Sequence, residues 1–218
     1  MSKKNCDTQK HVTEVSSESN KVVWHKRREL IKVGAAVASS TAIGISSTQS
    51  QAASTANEID PATKLYPQPG DRIQVANGEL KDQFVKVDTL VLNAMGVEGF
   101  PYDPNANVLR RKNRLNRLLV LRLDPDEMDD ATREKSAEGV VVYSALCTHR
   151  SCTIKSWMEE ERHMRCHCHL SEFAALSEGS VKGGPARKQL PMVPVTVDGE
   201  GYIVATDGFT RKPGGAKL

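Results

Sequence analysis

Cysteine and histidine residues crowd into one short window of the chain, and this window constrains the fold more than any other feature. The chain has 218 residues with five cysteines and six histidines, and four of each lie between residues 147 and 169. One group reads Cys-Thr-His-Arg-Ser-Cys over 147–152, and the other reads Cys-His-Cys-His over 166–169. Thiolates and imidazoles are the ligands that proteins use for zinc and for iron–sulfur centres. The window therefore predicts a metal centre built from two loops.

Two Cys–His pairs within this window indicate which kind of centre it is. Each pair supplies one thiol and one imidazole: Cys147 with His149, and Cys166 with His169. A tetrahedral zinc site accepts this set, but zinc fingers group their two cysteines apart from their two histidines. A [2Fe–2S] cluster with Cys on one iron and His on the other takes one of each from each loop. The spacing favours this cluster over a non-redox zinc-binding domain, the alternative, and ligation by all four cysteines would leave the histidine spacing unexplained.

At these residues the chain resembles the Rieske iron–sulfur proteins, whose pattern is C-x-H followed by C-x-x-H. The resemblance covers about residues 70–210. It implies that Cys147 and Cys166 bind the inner iron, and that His149 and His169 bind the outer, reducible iron near solvent. A one-electron transfer function and a [2Fe–2S] cofactor follow from the same resemblance.

The resemblance extends to the residues around these ligands. In the high-potential branch of the family a disulfide joins the two cluster-binding loops, and its cysteines fall on Cys152 and Cys168. That branch also tunes the cluster with a serine and a tyrosine that hydrogen-bond to sulfur. Ser171 keeps the first hydroxyl, while Phe173 lacks the second. The family's cluster cover loop falls on Gly183, Gly184 and Pro185.

Two departures from the quinol-oxidising branch concern the partner. That branch has Leu and Gly in the first loop where this chain has Arg150 and Ser151, and a cation there disfavours docking on an apolar quinol site. The stretch Cys-His-x-Ser-Glu-Phe, which ends at Phe173, resembles the small subunit of arsenite oxidase. This likeness implies a molybdopterin-type large subunit and a cytochrome c or copper-protein acceptor. The alternative is the Rieske subunit of a quinol:cytochrome c reductase, with a cytochrome b-type partner.

The N-terminal 53 residues have the layout of an export signal. Arg27 and Arg28 precede two aliphatic residues and a lysine, a mildly apolar run follows over 33–45, and small polar residues come next. This arrangement predicts a twin-arginine signal and a periplasmic location. The alternative is that residues 29–47 are retained as an anchor in the inner membrane, although the run is shorter than the ~20 residues that span a bilayer.

The positive charge of the chain is confined to that signal. Residues 1–53 carry a net charge of +4, whereas residues 54–218 hold 22 Lys or Arg and 23 Asp or Glu and carry −1. The body therefore has no general attraction for nucleic acid. Its aromatic content is 5% for the whole chain, which also argues against base-stacking surfaces.

The body has the short apolar runs of an all-β domain. Leu- and Val-rich runs at 118–123 and 140–146 predict strands, and 193–205 predicts a hairpin around an Asp-Gly turn. Residues 99–117 and 124–138 are predicted as loops because they are rich in Pro, Asn and charge. These runs predict an antiparallel β-sandwich or barrel, and the resemblance implies that its fold class is Rieske-type with a cluster-binding subdomain. The predicted domain limits, after the signal, are a linker at 54–69, the Rieske domain at 70–210 and a tail at 211–218.

Overall fold

The fold is all-β, as the sequence predicts. The computed structural model describes residues 60–215, and the only α-helix in that range is α1 (Asp130–Arg133). The strands there are β1 (Arg72–Val75), β2 (Val97–Asp103), β3 (Val108–Leu109), β4 (Leu118–Arg122), β5 (Val140–Ser144), β6 (Ser156–Met158), β7 (His163–Cys166), β8 (Ser171–Ala174), β9 (Ser180–Gly183), β10 (Val195–Val197) and β11 (Ile203–Ala205). Short 3-10 helices are formed by Pro61–Lys64, Val87–Thr89, Arg114–Asn116 and Pro125–Glu127.

Seven strands form one antiparallel sheet that nearly closes on itself. The strand order is β10-β11-β1-β2-β4-β5, and β3 pairs with β2. The segment just before β10 pairs with the far edge of β5: the Ser144 amide donates to the Pro191 carbonyl at 2.8 Å, and the Val193 amide donates to the Val142 carbonyl at 2.9 Å. This pairing covers the free edge of β5, so the sheet is barrel-like.

Strands β4 and β5 form a wall between two hydrophobic cores. Because side chains alternate along a strand, Leu118 and Val120 point into the barrel-like sheet, while Leu119 and Leu121 point to the opposite core. The core that contains Leu119 and Leu121 also holds the buried thiols of Cys147 and Cys166. Burial on both faces explains why the two runs are continuously apolar.

The smaller sheet carries the cysteine- and histidine-rich loops. Its strands are antiparallel in the order β6-β7-β8-β9, and Cys166 lies opposite Ser171 in the register of β7 and β8. The Trp157 indole on β6 donates a hydrogen bond of 3.0 Å to the Asn93 carbonyl in the segment before β2. The small sheet is thereby tied to the larger one.

The prediction of a loop over residues 99–117 is wrong for its first part. Residues 99–103 belong to β2, and Pro101 lies opposite Ile73 in the ladder. The glycine and proline that suggested a loop are suited to this strand: a Cβ on Gly99 would lie 2.6 Å from Ile73 Cγ2, and the Pro101 carbonyl still accepts from the Arg110 amide at 2.9 Å. The alternating stretch at 84–87 forms isolated bridges rather than a strand.

The predicted export signal lies outside the described residues. This applies to Arg27 and Arg28, to the alternative anchor at 29–47, and to the first part of the predicted linker. Between residues 60 and 215, no helix has the length and apolar character needed to cross a membrane.

Candidate metal centre

The first cysteine–histidine loop is a tight turn that follows β5. The Cys147 amide donates to the Cys152 carbonyl at 2.9 Å, and the Ser151 amide donates to the Cys147 carbonyl at 2.8 Å. Ser151 closes the turn in the left-handed region with φ 59°. This turn directs the thiol of Cys147 into the core, where the residue is 1% exposed, and leaves His149 half-buried at the surface.

The second loop is the connection between β7 and β8. Cys166 ends β7 with 1% exposure, and the following residues up to Leu170 are exposed. Leu170 has φ 58°, which returns the chain into β8. A cysteine therefore lies inside and His169 lies outside, the same arrangement as in the first loop.

The four predicted ligands form a buried pair of thiols and a pair of imidazole rings nearer the surface. Cys147 and Cys166 are free, buried thiols, and the rings of His149 and His169 meet edge to face with centroids 4.7 Å apart. Burial raises the pKa of the Cys147 thiol, and the adjacent Cys166 thiol contributes in the same direction. The Nδ1 atom of His149 is buried and has no hydrogen-bond partner among residues 60–215. Two buried thiols and two neighbouring imidazoles nearer the surface, with a ring nitrogen left unpartnered in the described range, fit a [2Fe–2S] cluster ligated by cysteine and histidine.

The surroundings of His149 favour the neutral form of its imidazole. Burial lowers the pKa of its imidazole, and the neighbouring His169 and Arg150 lower it further. The neutral imidazole is the metal-ligating state of histidine. The electrostatic environment of His149 therefore agrees with its predicted role.

The predicted disulfide between the two loops is present. Cys152 and Cys168 are bonded, with their Cα atoms 6.6 Å apart. Their sulfur atoms and that of Cys166 lie within 4.8 Å of one another. Because a disulfide offers no thiolate, this sulfur-rich group does not replace the predicted ligand set.

Comparison with known families agrees with this geometry. Residues 116–194 match the family model described as the Rieske [2Fe-2S] domain. This region is a Rieske domain. It binds a [2Fe–2S] cluster, and the zinc-binding alternative is not supported.

Relatives of the Rieske domain belong to respiratory complexes. The cytochrome bc1 complex Rieske iron-sulfur subunit of Streptomyces lividans is 38% identical over 100 residues, which are 45% of this chain and 59% of that protein. A Haloferax mediterranei protein, described as a putative respiratory nitrate reductase Rieske subunit, is 37% identical over 100 residues, 44% of each chain. Among solved structures, the soluble domain of Rieske protein II from Sulfolobus acidocaldarius has a TM-score of 0.37 at 18% identity and covers 47% of this chain and 66% of that one. The matched region thus spans 59% and 44% of the lengths of these two curated relatives.

The predicted tuning positions lie on the inner face of β8 in the Rieske domain. Ser171 is fully buried, and its hydroxyl accepts a hydrogen bond of 3.2 Å from the Ala186 amide. A hydrogen bond from the Ser171 side chain also acts to lower the pKa of the Cys147 thiol, against the larger effect of burial. Phe173, two residues further along the strand, is fully buried in the core that contains Cys147 and Cys166.

The predicted cover loop of the Rieske domain contacts both cluster-binding loops. Gly184 has φ 76°, and a Cβ there would lie 2.5 Å from the Leu170 carbonyl oxygen and from Ser171 Cα. Only glycine allows the backbone to approach so closely. On the other side, the Thr148 hydroxyl donates a hydrogen bond to the Lys188 carbonyl.

A second covering segment comes from the end of the described chain, and the sequence analysis missed it. The predicted tail includes residues 213–215, which lie on the first cluster-binding loop of the Rieske domain; we call them the strap. The Gly215 amide donates to the Ser151 hydroxyl at 2.8 Å, and a Cβ on Gly215 would overlap the His149 carbonyl. The paired glycines at 214–215 are the sequence signal from which a close backbone approach could have been predicted.

Proposed function

We propose that this chain is the one-electron transfer subunit of an exported oxidoreductase complex. The residues that hold the cluster are Cys147, His149, Cys166 and His169. When bound, a Rieske [2Fe–2S] cluster supplies a one-electron couple within a range of about −150 to +300 mV. The observation that carries the proposal is the pair of buried thiols on the same two loops as the half-buried His149 and the exposed His169, whose rings meet.

The two sides of this site differ in their exposure to solvent. The thiols of Cys147 and Cys166 are enclosed by the core, whereas His169 is exposed and His149 borders an open groove. A redox partner therefore reaches the histidine side first. The disulfide and the cover loop hold the two cluster-binding loops together and limit the access of water to the sulfur side.

The large subunit of the complex has two candidates. Arg150, which is exposed, and Phe173, which lacks a tuning hydroxyl, support a molybdopterin-type subunit of the arsenite oxidase kind. The 38% identity to a bc1 complex subunit supports a cytochrome b-type subunit instead. In both cases the acceptor that fits is a cytochrome c or a copper protein.

Metal analysis and electron paramagnetic resonance of the purified chain test the cofactor function. We expect equal amounts of iron and acid-labile sulfide, two of each per chain, and a Rieske-type signal after reduction. A colourless protein that holds zinc would contradict the proposal. Purification of the tagged chain from its own host then identifies the large subunit, because a molybdopterin protein and a cytochrome b differ in spectrum and mass.

Export is part of the proposal and has its own test. Arg27 and Arg28 form the twin-arginine pair, so replacing both with lysine should leave the chain in the cytoplasm. Fractionation with antibody detection measures this, and the length of the mature chain distinguishes cleavage from retention of residues 29–47 as an anchor. A double variant exported as well as the wild type would contradict the twin-arginine route.

A further inference from the structure

A basic groove lies beside the ligand His149. Its volume is about 690 Å³, and its walls come from the first cluster-binding loop, the cover loop and the strap. Its cationic lining residues are Arg114, Arg150, Arg187, Lys188 and Lys212, and no carboxylate among residues 60–215 lines it. We call this surface the basic groove.

Within the described residues, unpaired positive charge is concentrated in the basic groove. Residues 54–218 carry a net charge of −1, so the body as a whole is almost neutral. Two nearby arginines outside the groove are paired: Arg110 with Asp71 and Asp103, and Arg117 with Glu98. The five cations of the basic groove make no ion pair with any carboxylate in the described range. Their mutual repulsion is therefore not offset within that part of the protein.

The backbone beside the cations of the basic groove is hydrogen-bonded to the first cluster-binding loop. Lys188 is held by the hydrogen bond from Thr148 to its carbonyl, and Lys212 precedes the strap that Ser151 holds through Gly215. Arg150 lies between two residues of the first loop that make these contacts. The positive charge is thus kept at a fixed position relative to His149.

We propose that the basic groove docks the acidic face of the redox protein that exchanges electrons at His149 and His169. This inference rests on the proposed function and specifies the charge of the partner. A small-anion site would need polar groups that converge in an enclosed pocket, whereas these side chains are exposed around an open one. Leu170, 53% exposed and next to His169, adds an apolar contact, and an apolar centre with a charged rim is typical of protein interfaces.

Binding to two c-type cytochromes of opposite surface charge tests the proposal. The holoprotein and both cytochromes are kept oxidised, so that titration calorimetry measures association without electron transfer. We expect the acidic cytochrome to bind about tenfold or more tightly than the basic one at low salt, and this preference to vanish at high salt. Equal affinities at low salt would overturn the proposal.

Two matched pairs of substitutions test whether the preference for the acidic cytochrome comes from the basic groove. Lys188→Gln with Lys212→Gln removes two charges from the basic groove, while Lys81→Gln with Lys86→Gln removes two charges outside it. The first pair should weaken binding of the acidic cytochrome about fivefold or more, and the second should change it less than twofold. Equal losses in both pairs would overturn the proposal.

Two further readouts distinguish protein docking from the binding of a small anion and from loss of the cluster. If inorganic phosphate binds the groove with a defined stoichiometry while the acidic cytochrome does not bind, the groove is a small-anion site and the docking proposal is wrong. The electron paramagnetic resonance signal of a separately reduced portion of each holoprotein, taken before cytochrome is added, reports on the cluster. An absent signal in the wild type contradicts the proposed function, whereas an intact signal without any preference for the acidic cytochrome contradicts the docking proposal alone.

Discussion

The backbone amide of Gly215 donates a hydrogen bond of 2.8 Å to the hydroxyl of Ser151, 64 positions earlier in the chain. Ser151 has φ 59°, a conformation that costs an ordinary residue about 1–2 kcal/mol and glycine almost nothing. The quinol-oxidising Rieske subunits that the first loop resembles have glycine at this position. In this chain the serine hydroxyl fixes the strap against the first cluster-binding loop, despite the backbone cost.

Two substitutions at Ser151 separate the hydrogen bond from the backbone cost. Ser151→Gly loses the hydroxyl but relieves the strain, whereas Ser151→Ala loses the hydroxyl and keeps the strain. Both should speed hydrogen exchange at the Gly215 amide, and Ser151→Ala should be less stable than Ser151→Gly by about 1 kcal/mol. Denaturant titration of the holoprotein measures the difference. Unchanged protection of the Gly215 amide in both variants would contradict the role given to the hydroxyl.

Arg110 is predicted to be a major contributor to stability, unlike its neighbour Arg111. Arg110 is 3% exposed and donates two hydrogen bonds to the Asp71 carboxylate, at 2.8 and 3.0 Å. Arg110→Met leaves Asp71 as an unpaired buried charge and should cost about 3–5 kcal/mol of unfolding free energy. The exposed Arg111→Met is the matched control and should change it by less than about 0.5 kcal/mol. Similar losses in both variants would show that Arg110 is not a buried anchor.

Asp103 should make part of the stability dependent on acid pH. The hydrogen bond from the Ala106 amide, together with those from Asn105 and Arg110, lowers the pKa of the Asp103 carboxyl in spite of partial burial. A carboxyl whose folded pKa is lowered stabilises the fold fully above its unfolded pKa of about 3.9, and this contribution disappears as pH falls through the folded value. Unfolding titrations below pH 5 should therefore show a weaker pH dependence in Asp103→Asn than in the wild type. Identical slopes would contradict this assignment.

The two histidines of the second loop should differ completely in their effect on the cluster. His169 faces the His149 ring, whereas the exposed His167 lies 3.1 Å from the Ser156 hydroxyl. His169→Ala removes an imidazole ligand and should abolish the Rieske-type paramagnetic signal. His167→Ala, two positions away in the same turn, should retain the signal and the visible spectrum. A normal signal in His169→Ala would mean that the ligand assignment is wrong.

The parts of the fold that were predicted correctly depend on local sequence. Strands β4 and β5 were visible as apolar runs because both of their faces are buried. The candidate metal centre could be predicted from sequence because the four residues proposed as its ligands lie in two short segments, each with a cysteine and a histidine a few positions apart.

The parts that were missed depend on contacts between distant residues. The burial of Arg110 follows from Asp71, 39 positions away, and could not be distinguished from a solvated basic loop. Residues 99–103 of β2 were hidden because Gly99 and Pro101 ordinarily mark loops, and only the pairing with β1 shows that they belong to a strand. The strap likewise depends on a contact across 64 positions.

The tuning serine gives the last prediction. The Ser171 hydroxyl accepts from the Ala186 amide and keeps its own proton for donation, and the Ser171 side chain acts to lower the pKa of the Cys147 thiol, so we expect it to donate to the Cys147 sulfur. A donor to a ligand sulfur favours the reduced cluster, which is the more negative state. Ser171→Ala should therefore lower the potential by about 40 mV if the bond differs by ~1 kcal/mol between redox states.

Voltammetry measures the reduction potential of Ser171→Ala, and two other variants complete the test. Phe173→Tyr should raise the potential by a similar amount, because it supplies the hydroxyl that the family directs at sulfur. Ser180→Ala is the matched control, since the Ser180 hydroxyl is buried without a hydrogen-bond partner among residues 60–215, and its loss should leave the potential unchanged. If Ser171→Ala shifts the potential no more than Ser180→Ala does, the Ser171 hydroxyl does not reach the cluster ligand. A lowered or unchanged potential in Phe173→Tyr would likewise place Phe173 out of reach of the ligand sulfurs.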